Sequence, residues 1–100
     1  METLKECLRN RPIPVKIVAE YKSSKGTNYY LCKTDENKIH YFMEGNYVVK
    51  KESFDDDLEK LYLNLLNKKD VDSTLESMNK LKSYKRFKMF VKERSGEELR

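Results

Sequence analysis

The spacing of hydrophobic residues changes along the chain, from helical at the start to strand-like alternation and back to helical. Near the start, Thr3 and Glu6 have the spacing of a capping box, and Leu4 and Leu8 lie one helical turn apart. We therefore predict a short amphipathic helix within residues 1–11, which the prolines that follow would end.

The second segment, residues 14–50, has the period-2 alternation of an antiparallel sheet. In its clearest strand only Val18 interrupts an apolar set on one face, formed by Val15, Ile17, Ala19 and Tyr21. Polar turn residues at 23–26 and 35–37 separate this strand from two further runs of β-forming residues. The pattern predicts a meander of three or four antiparallel strands.

The third segment, residues 53–94, has helical spacing. Ser53 is predicted as the N-cap of a helix whose apolar stripe is Leu58, Leu61, Tyr62, Leu65 and Leu66. Ser73 and Glu76 predict a second capping box. Beyond Leu81 the pattern fits a helix or a strand, and the helix is favoured.

These elements predict a single α+β domain. It would contain a short N-terminal helix, an antiparallel meander of three or four strands, and one or two C-terminal helices packed on one sheet face. In the 100 residues, 38% are hydrophobic and 38% are charged, so we expect a thin core. No apolar run approaches the roughly 20 residues of a membrane span, and we expect no membrane partner.

Charge alternates in sign along the chain. The net charge is +4, with +4 in residues 1–34, −5 in residues 52–76 and +6 in residues 79–94. Such a mosaic attracts anionic partners at one surface and repels them at another. It predicts a protein with two faces of opposite sign.

The basic block at 79–94 is the main candidate site, because its cations are interleaved with aromatic residues. Cations neutralise phosphates, and exposed aromatic rings stack on unpaired bases. The alternative is a helix whose aromatic rings pack in the core while its lysines face solvent. The candidate residues for binding a partner or nucleic acid, including four from the N-terminal block, are Lys80, Lys82, Tyr84, Lys85, Arg86, Lys88, Lys92, Arg94, Arg9, Arg11, Lys22 and Lys25.

An acidic patch formed by Asp55, Asp56, Asp57 and Glu59 has two interpretations. Its carboxylates suit the first turn of a helix, where the helix dipole favours negative charge. Alternatively, they form a surface for a basic partner protein. Consecutive residues on a helix point about 100° apart, so three of them do not converge on one metal ion.

Candidate catalytic chemistry is sparse. His40 and Cys32, on neighbouring predicted strands, are the only residues that could form a nucleophile and base pair. The alternative for His40 is a histidine packed on the sheet face. Two isolated cysteines and no signal-peptide pattern indicate reduced thiols in the cytoplasm. We expect no catalytic residue, no metal and no cofactor.

In element order alone, residues 1 to about 67 resemble double-stranded RNA-binding domains, with Lys50 and Lys51 just ahead of the second helix, near where that family places a lysine cluster. The chain departs from that family in lacking an Ala-rich second helix and a histidine in the first hairpin loop. It also has acidic residues 55–57 where RNA phosphates would approach. No residue role is carried over.

Three functional hypotheses follow. The first is a non-enzymatic binding or inhibitor protein that covers a surface of a larger nucleic-acid-handling protein or complex, since its size and composition resemble those of accessory proteins of phages and other mobile elements. The second is direct binding of RNA or DNA through the basic block. The third is a small toxin-type endoribonuclease that uses His40 with nearby Lys or Tyr residues. The opposite charges would also allow copies of the chain to pair with one another.

Overall fold

The computed structural model of the chain describes residues 2–8, 14–34, 38–54 and 57–99. The chain forms two compact units, Met1–Phe54 and Asp55–Arg100. The described part of the first unit contains a sheet and a short helix, and that of the second contains three helices. The α+β class is therefore confirmed. The sheet has five strands where the sequence predicts three or four, and the second unit has three helices where it predicts one or two.

All the strand pairs in the sheet are antiparallel, and the strand order is β1-β5-β4-β3-β2. Strands β2 to β5 follow one another as the predicted meander. At the β4–β5 turn Gly45 has φ 59°, a conformation that favours glycine, and its N–H donates to Asn28 O at 2.7 Å. The strands are β1 (Glu2–Thr3), β2 (Val15–Lys22), β3 (Asn28–Thr34), β4 (Ile39–Glu44) and β5 (Tyr47–Ser53).

The N-terminal helix is shorter than predicted. Helix α1 (Leu4–Cys7) has one turn and follows directly on β1, whose residues pair with β5. Part of the predicted range, residues 9–11, lies outside the described residues. The capping box is confirmed: Thr3 N–H donates to the Glu6 carboxylate at 2.9 Å, and Glu6 N–H donates to Thr3 Oγ1 at 3.2 Å.

Strand β2 departs from the predicted alternation at a β-bulge. The register with β3 shifts between Ile17 and Ala19, which leaves Val18 as the extra residue. Val18 is fully buried, whereas Ile17 is 44% exposed. The interruption of the pattern at Val18 thus marks a real irregularity of the strand.

Both faces of the central strands are buried. On one face a cluster forms around Cys32, Tyr41, Met43 and Val48, and Leu8 closes it. On the other face Leu31 and Phe42 are fully buried, and Tyr29 and His40 are each 3% exposed. Phe42 alternates with apolar Tyr41 and Met43 and shares its face with His40 and Glu44, a pattern that would place it on a polar face. It is fully buried instead, because the β3–β4 pair is shielded from water on both sides.

The helices of the second unit do not begin at their predicted caps: α2 begins later than predicted and α3 begins earlier. Ser53 is the last residue of β5, where it pairs with Ile39, so it does not cap a helix. Helix α2 starts after Asp57, and Ser73 lies inside α3. The helices are α2 (Leu58–Leu66), α3 (Val71–Met78) and α4 (Lys82–Ser95).

The segment beyond Leu81 is helical, as favoured from the sequence. It is separate from α3, because residues 79–81 are not helical and interrupt the two helices before α4 begins. Leu81, in an extended conformation at φ −81° and ψ 138°, stands at the N-cap of α4. Because α4 starts anew after this interruption, its aromatic residues lie on one face of the helix. In one continuous helix, apolar residues spaced every three positions would be spread around the helix axis.

Candidate binding surface on the basic helix

Helix α4 separates its aromatic residues from its charged ones. Tyr84 and Phe90 are at most 6% exposed, and Phe87 is fully buried. The buried positions recur at the spacing of one helical face, formed by Ser83, Tyr84, Phe87, Phe90 and Val91. The core-packing interpretation of the aromatic residues is therefore confirmed, and the rings are not presented for stacking on bases.

The opposite face of α4 is basic and exposed. The helix carries six basic residues and one acidic residue, a net charge of +5. Lys82, Lys85, Arg86, Lys92 and Arg94 are exposed, and Lys88 is half-buried at the margin. Six basic candidate residues therefore lie on one helix, and the candidate Tyr84 is on the same helix but buried.

Met89 lies in the middle of this basic face. It is 62% exposed, the highest value among the large hydrophobic residues of the described chain. Lys85 and Lys92 are four residues before it and three residues after it, so they flank it on the helix surface. Sequence reasoning missed this residue, although its offset from the Phe87 and Phe90 face would have identified it.

Two lysines at this surface are held by contacts within the unit. The Lys88 ammonium donates to Asn79 Oδ1 and lies 5.9 Å from the centre of the Tyr84 ring. Lys92 Nζ forms a salt bridge with Glu98 Oε1 at 2.9 Å. Their cationic groups therefore have preferred positions, whereas Lys82 and Lys85 extend into solvent.

A shallow groove of about 360 Å³ opens beside Met89. Lysine side chains bury their methylene stems along apolar surface and keep the ammonium in water, so such a groove has an apolar floor and a cationic rim. We call it the α4 groove, and its lining residues are Lys85, Lys88, Met89, Lys92, Glu98 and Leu99.

The remaining basic candidates are not on α4. Lys80 is exposed in the turn between α3 and α4. Lys22, at the end of β2, and Lys25, in the following turn, are exposed in the sheet unit. Arg9 and Arg11 lie outside the described residues.

The predicted acidic patch is only partly described. Asp55 and Asp56 lie outside the described residues. Asp57 is exposed at the N-cap position of α2, but its side chain makes no capping hydrogen bond. Glu59 is the acidic residue of the first turn, and it is half-buried. The prediction that the aspartates occupy the first turn is therefore wrong for Asp57, which precedes it.

His40 and Cys32 lie on neighbouring strands but face opposite sides of the sheet. Cys32 is opposite Tyr41, so the side chain of His40, one residue away, points to the other face. His40 is 3% exposed and its ring centre lies 5.1 Å from that of Phe54. Burial raises the pKa of the Cys32 thiol to about 11. The two residues do not form a nucleophile and base pair, and the packed histidine is confirmed.

No protein-family model, curated protein or solved structure matches the chain. Across residues 2–8, 14–34, 38–54 and 57–99, no group of three or more His, Cys, Asp or Glu side chains is placed to hold a metal ion. Within the same ranges, none of the helices has both the length and the apolar character required to cross a bilayer.

Proposed function

We propose that the chain is a non-enzymatic binding protein whose α4 basic face docks on an anionic surface of a partner protein. The observation that carries the proposal is the position of Met89, which is exposed at the centre of the cationic face of α4, while the aromatic residues of the helix are buried on its other face. An apolar side chain ringed by charged groups is the arrangement of an interface centre with a polar rim. A nucleic-acid backbone presents phosphates and sugars, and it has no aliphatic side chain to cover the thioether.

A second exposed apolar site on the same unit supports a protein partner. Leu63 and Leu66 are 49% and 58% exposed and lie one turn apart on α2. Exposed apolar side chains grouped on a surface mark protein contacts more often than phosphate contacts. The larger partner that we envisage is a nucleic-acid-handling protein or complex, which the chain would cover and inhibit.

The experiment is capture of the partner from a lysate of the cells that make the protein, with and without nuclease. In the test variant, Lys82→Glu with Lys85→Glu, two exposed cations of α4 are reversed, and Glu at the start of the helix suits the helix dipole. The matched control, Lys22→Glu with Lys25→Glu, makes the same charge change at exposed positions of the first unit.

We expect one protein to be captured in fixed stoichiometry, to survive nuclease, to be lost with the α4 variant and to be retained with the control. Equal loss with both variants would mean that only net charge matters. Equal retention with both would remove α4 from the interface.

The second candidate function is direct binding of a nucleic-acid backbone, which the net charge of +5 on α4 favours. Because the rings are buried, such binding would rest on phosphate contacts alone and would be insensitive to sequence. With three or four such contacts, the logarithm of the affinity for duplex DNA would fall with the logarithm of salt concentration at a slope of about −3. A filter-binding titration that shows no binding, or no salt dependence, excludes this function.

A further inference from the structure

The segment after α4 turns back along the helix. Gly96 ends the helix in the left-handed conformation at φ 77°, and its N–H donates to Lys92 O at 2.8 Å. The Ser95 hydroxyl donates to Val91 O at 2.7 Å and accepts from Glu97 N–H at 3.0 Å. These contacts direct the next two residues to the α4 groove.

An acidic and an aliphatic residue of this segment meet complementary chemistry there. The Glu98 carboxylate binds the Lys92 ammonium, and Leu99 lines the groove with Met89. The hydrogen bond and charge of Lys92, with a smaller effect of Lys88, lower the pKa of Glu98. The chain itself therefore shows which groups the surface accommodates: a carboxylate at the rim and an aliphatic side chain beside the thioether.

We propose that the α4 groove recognises an acidic segment of a partner protein in which an aliphatic residue adjoins a carboxylate. Glu98 and Leu99 of the chain itself occupy this site until the partner displaces them. This inference rests on the proposed function and specifies the chemistry of the partner.

The cis contact is suited to exchange. The side chains of Lys92 and Glu98 are 62% and 76% exposed, and ion pairs with that exposure are weak. A partner segment with several carboxylates could also engage Lys85, which makes the longer contact the stronger one. Met89 would lose its exposure only when a partner side chain covers it.

The test measures fluorescence anisotropy of a labelled peptide, Asp-Glu-Glu-Leu-Glu-Glu-Leu-Asp, added to the full chain. A second peptide with serine in place of each leucine has the same charge, and a short DNA duplex provides phosphates without aliphatic side chains. We expect the leucine peptide to bind about tenfold more tightly than the serine peptide, a difference of about 1.4 kcal/mol.

Two variants separate the apolar floor from the cis contact. Met89→Ser, at an exposed position, should abolish the preference for the leucine peptide over the serine peptide, because the apolar contact is lost. Glu98→Gln should increase the affinity for the leucine peptide about threefold, because a competing carboxylate is removed. Its matched control is Glu76→Gln, which makes the same charge change at an exposed position of α3 that does not line the groove.

The outcomes distinguish this inference from the function beneath it. Equal binding of the two peptides, or equal gains with Glu98→Gln and Glu76→Gln, would refute recognition by the groove. If partner capture through α4 persisted in that case, the proposed function would stand with a different partner chemistry. If the DNA duplex bound and both peptides failed, the proposed function would fail as well.

Discussion

Replacing Phe87 by alanine should destabilise the protein severely, whereas replacing Met89 by alanine should not. The two residues are on the same helix, but Phe87 is fully buried and Met89 is 62% exposed. Removal of a buried phenylalanine ring costs about 3–5 kcal/mol, since the lost apolar contacts leave a cavity. That is a large fraction of the roughly 5–15 kcal/mol that stabilises a domain. At an exposed helical position we expect a change within about 0.5 kcal/mol.

The assay is urea-induced unfolding followed by far-ultraviolet circular dichroism, with the slope of free energy against urea as a check on the unfolding transition. Phe87→Leu, which keeps an apolar side chain, is the second variant in case the alanine variant fails to fold, and should cost about 1.5 kcal/mol or less. A cost below about 1 kcal/mol for Phe87→Ala would refute the reasoning. The ring would then be available at the surface, and base stacking would again explain the aromatic residues of α4.

Three further results are expected. In urea titrations, Val18→Ala should lower the free energy of unfolding by about 1–3 kcal/mol, because Val18 is fully buried at the bulge. Ile17→Ala should lower it by less than about 1 kcal/mol although it removes more atoms, and the reverse order would contradict the bulge. At about pH 8, iodoacetamide should modify the half-buried Cys7 before the buried Cys32, because the raised pKa of Cys32, about 11, leaves roughly one Cys32 side chain in a thousand as the reactive thiolate. Equal rates of modification at the two cysteines, measured by mass spectrometry, would contradict the burial of Cys32. The hydrogen bonds from Thr3 lower the pKa of Glu6, so the stabilisation by its carboxylate is present above the pKa of the unfolded chain and is lost as the pH falls through the lower folded value. The stability difference between Glu6→Gln and the wild type should therefore shrink as the pH falls through that range, and a difference that stays constant with pH would contradict this assignment.

The type of each major element follows from local patterns, but the irregularities of the sheet do not. The alternation in β2 predicts a strand, and Val18 interrupts it. Whether such an interruption gives a bulge or an unfavourable contact depends on the register with β3, which is a property of two strands. The burial of Phe42 likewise depends on what covers its face of the sheet, where Leu31 of β3 is its fully buried cross-strand partner. Alternation within one strand cannot predict that both faces of that strand are covered.

Helix boundaries were harder to predict than helix faces, for a related reason. Ser53 has the side chain of a good N-cap, but its backbone pairs with Ile39 across the sheet. The ladder hydrogen bonds of β5 extend to that residue, so the helix starts only after Asp57. Thr3, by contrast, caps α1 as predicted, since the capping box is completed within three residues. The same spacing at Ser73 and Glu76 does not mark a cap, because α3 already begins at Val71. A local capping signal therefore identifies a helix start only where no earlier residue begins the helix.

In the basic block, the burial of each side chain distinguishes two interpretations that the sequence leaves open. Cations interleaved with aromatic residues fit a stacking surface and also a helix packed through its rings. The burial of Phe87 and Phe90 removes the stacking surface, and the phase that buries them exposes Met89 on the other side. Phosphate contacts would need the lysines alone, and Met89 would then stay in water. A partner with carboxylates around an aliphatic residue engages the cations and the thioether together, as Glu98 and Leu99 do within the chain. The affinity of the surface should therefore depend on the apolar group of its partner as well as on charge.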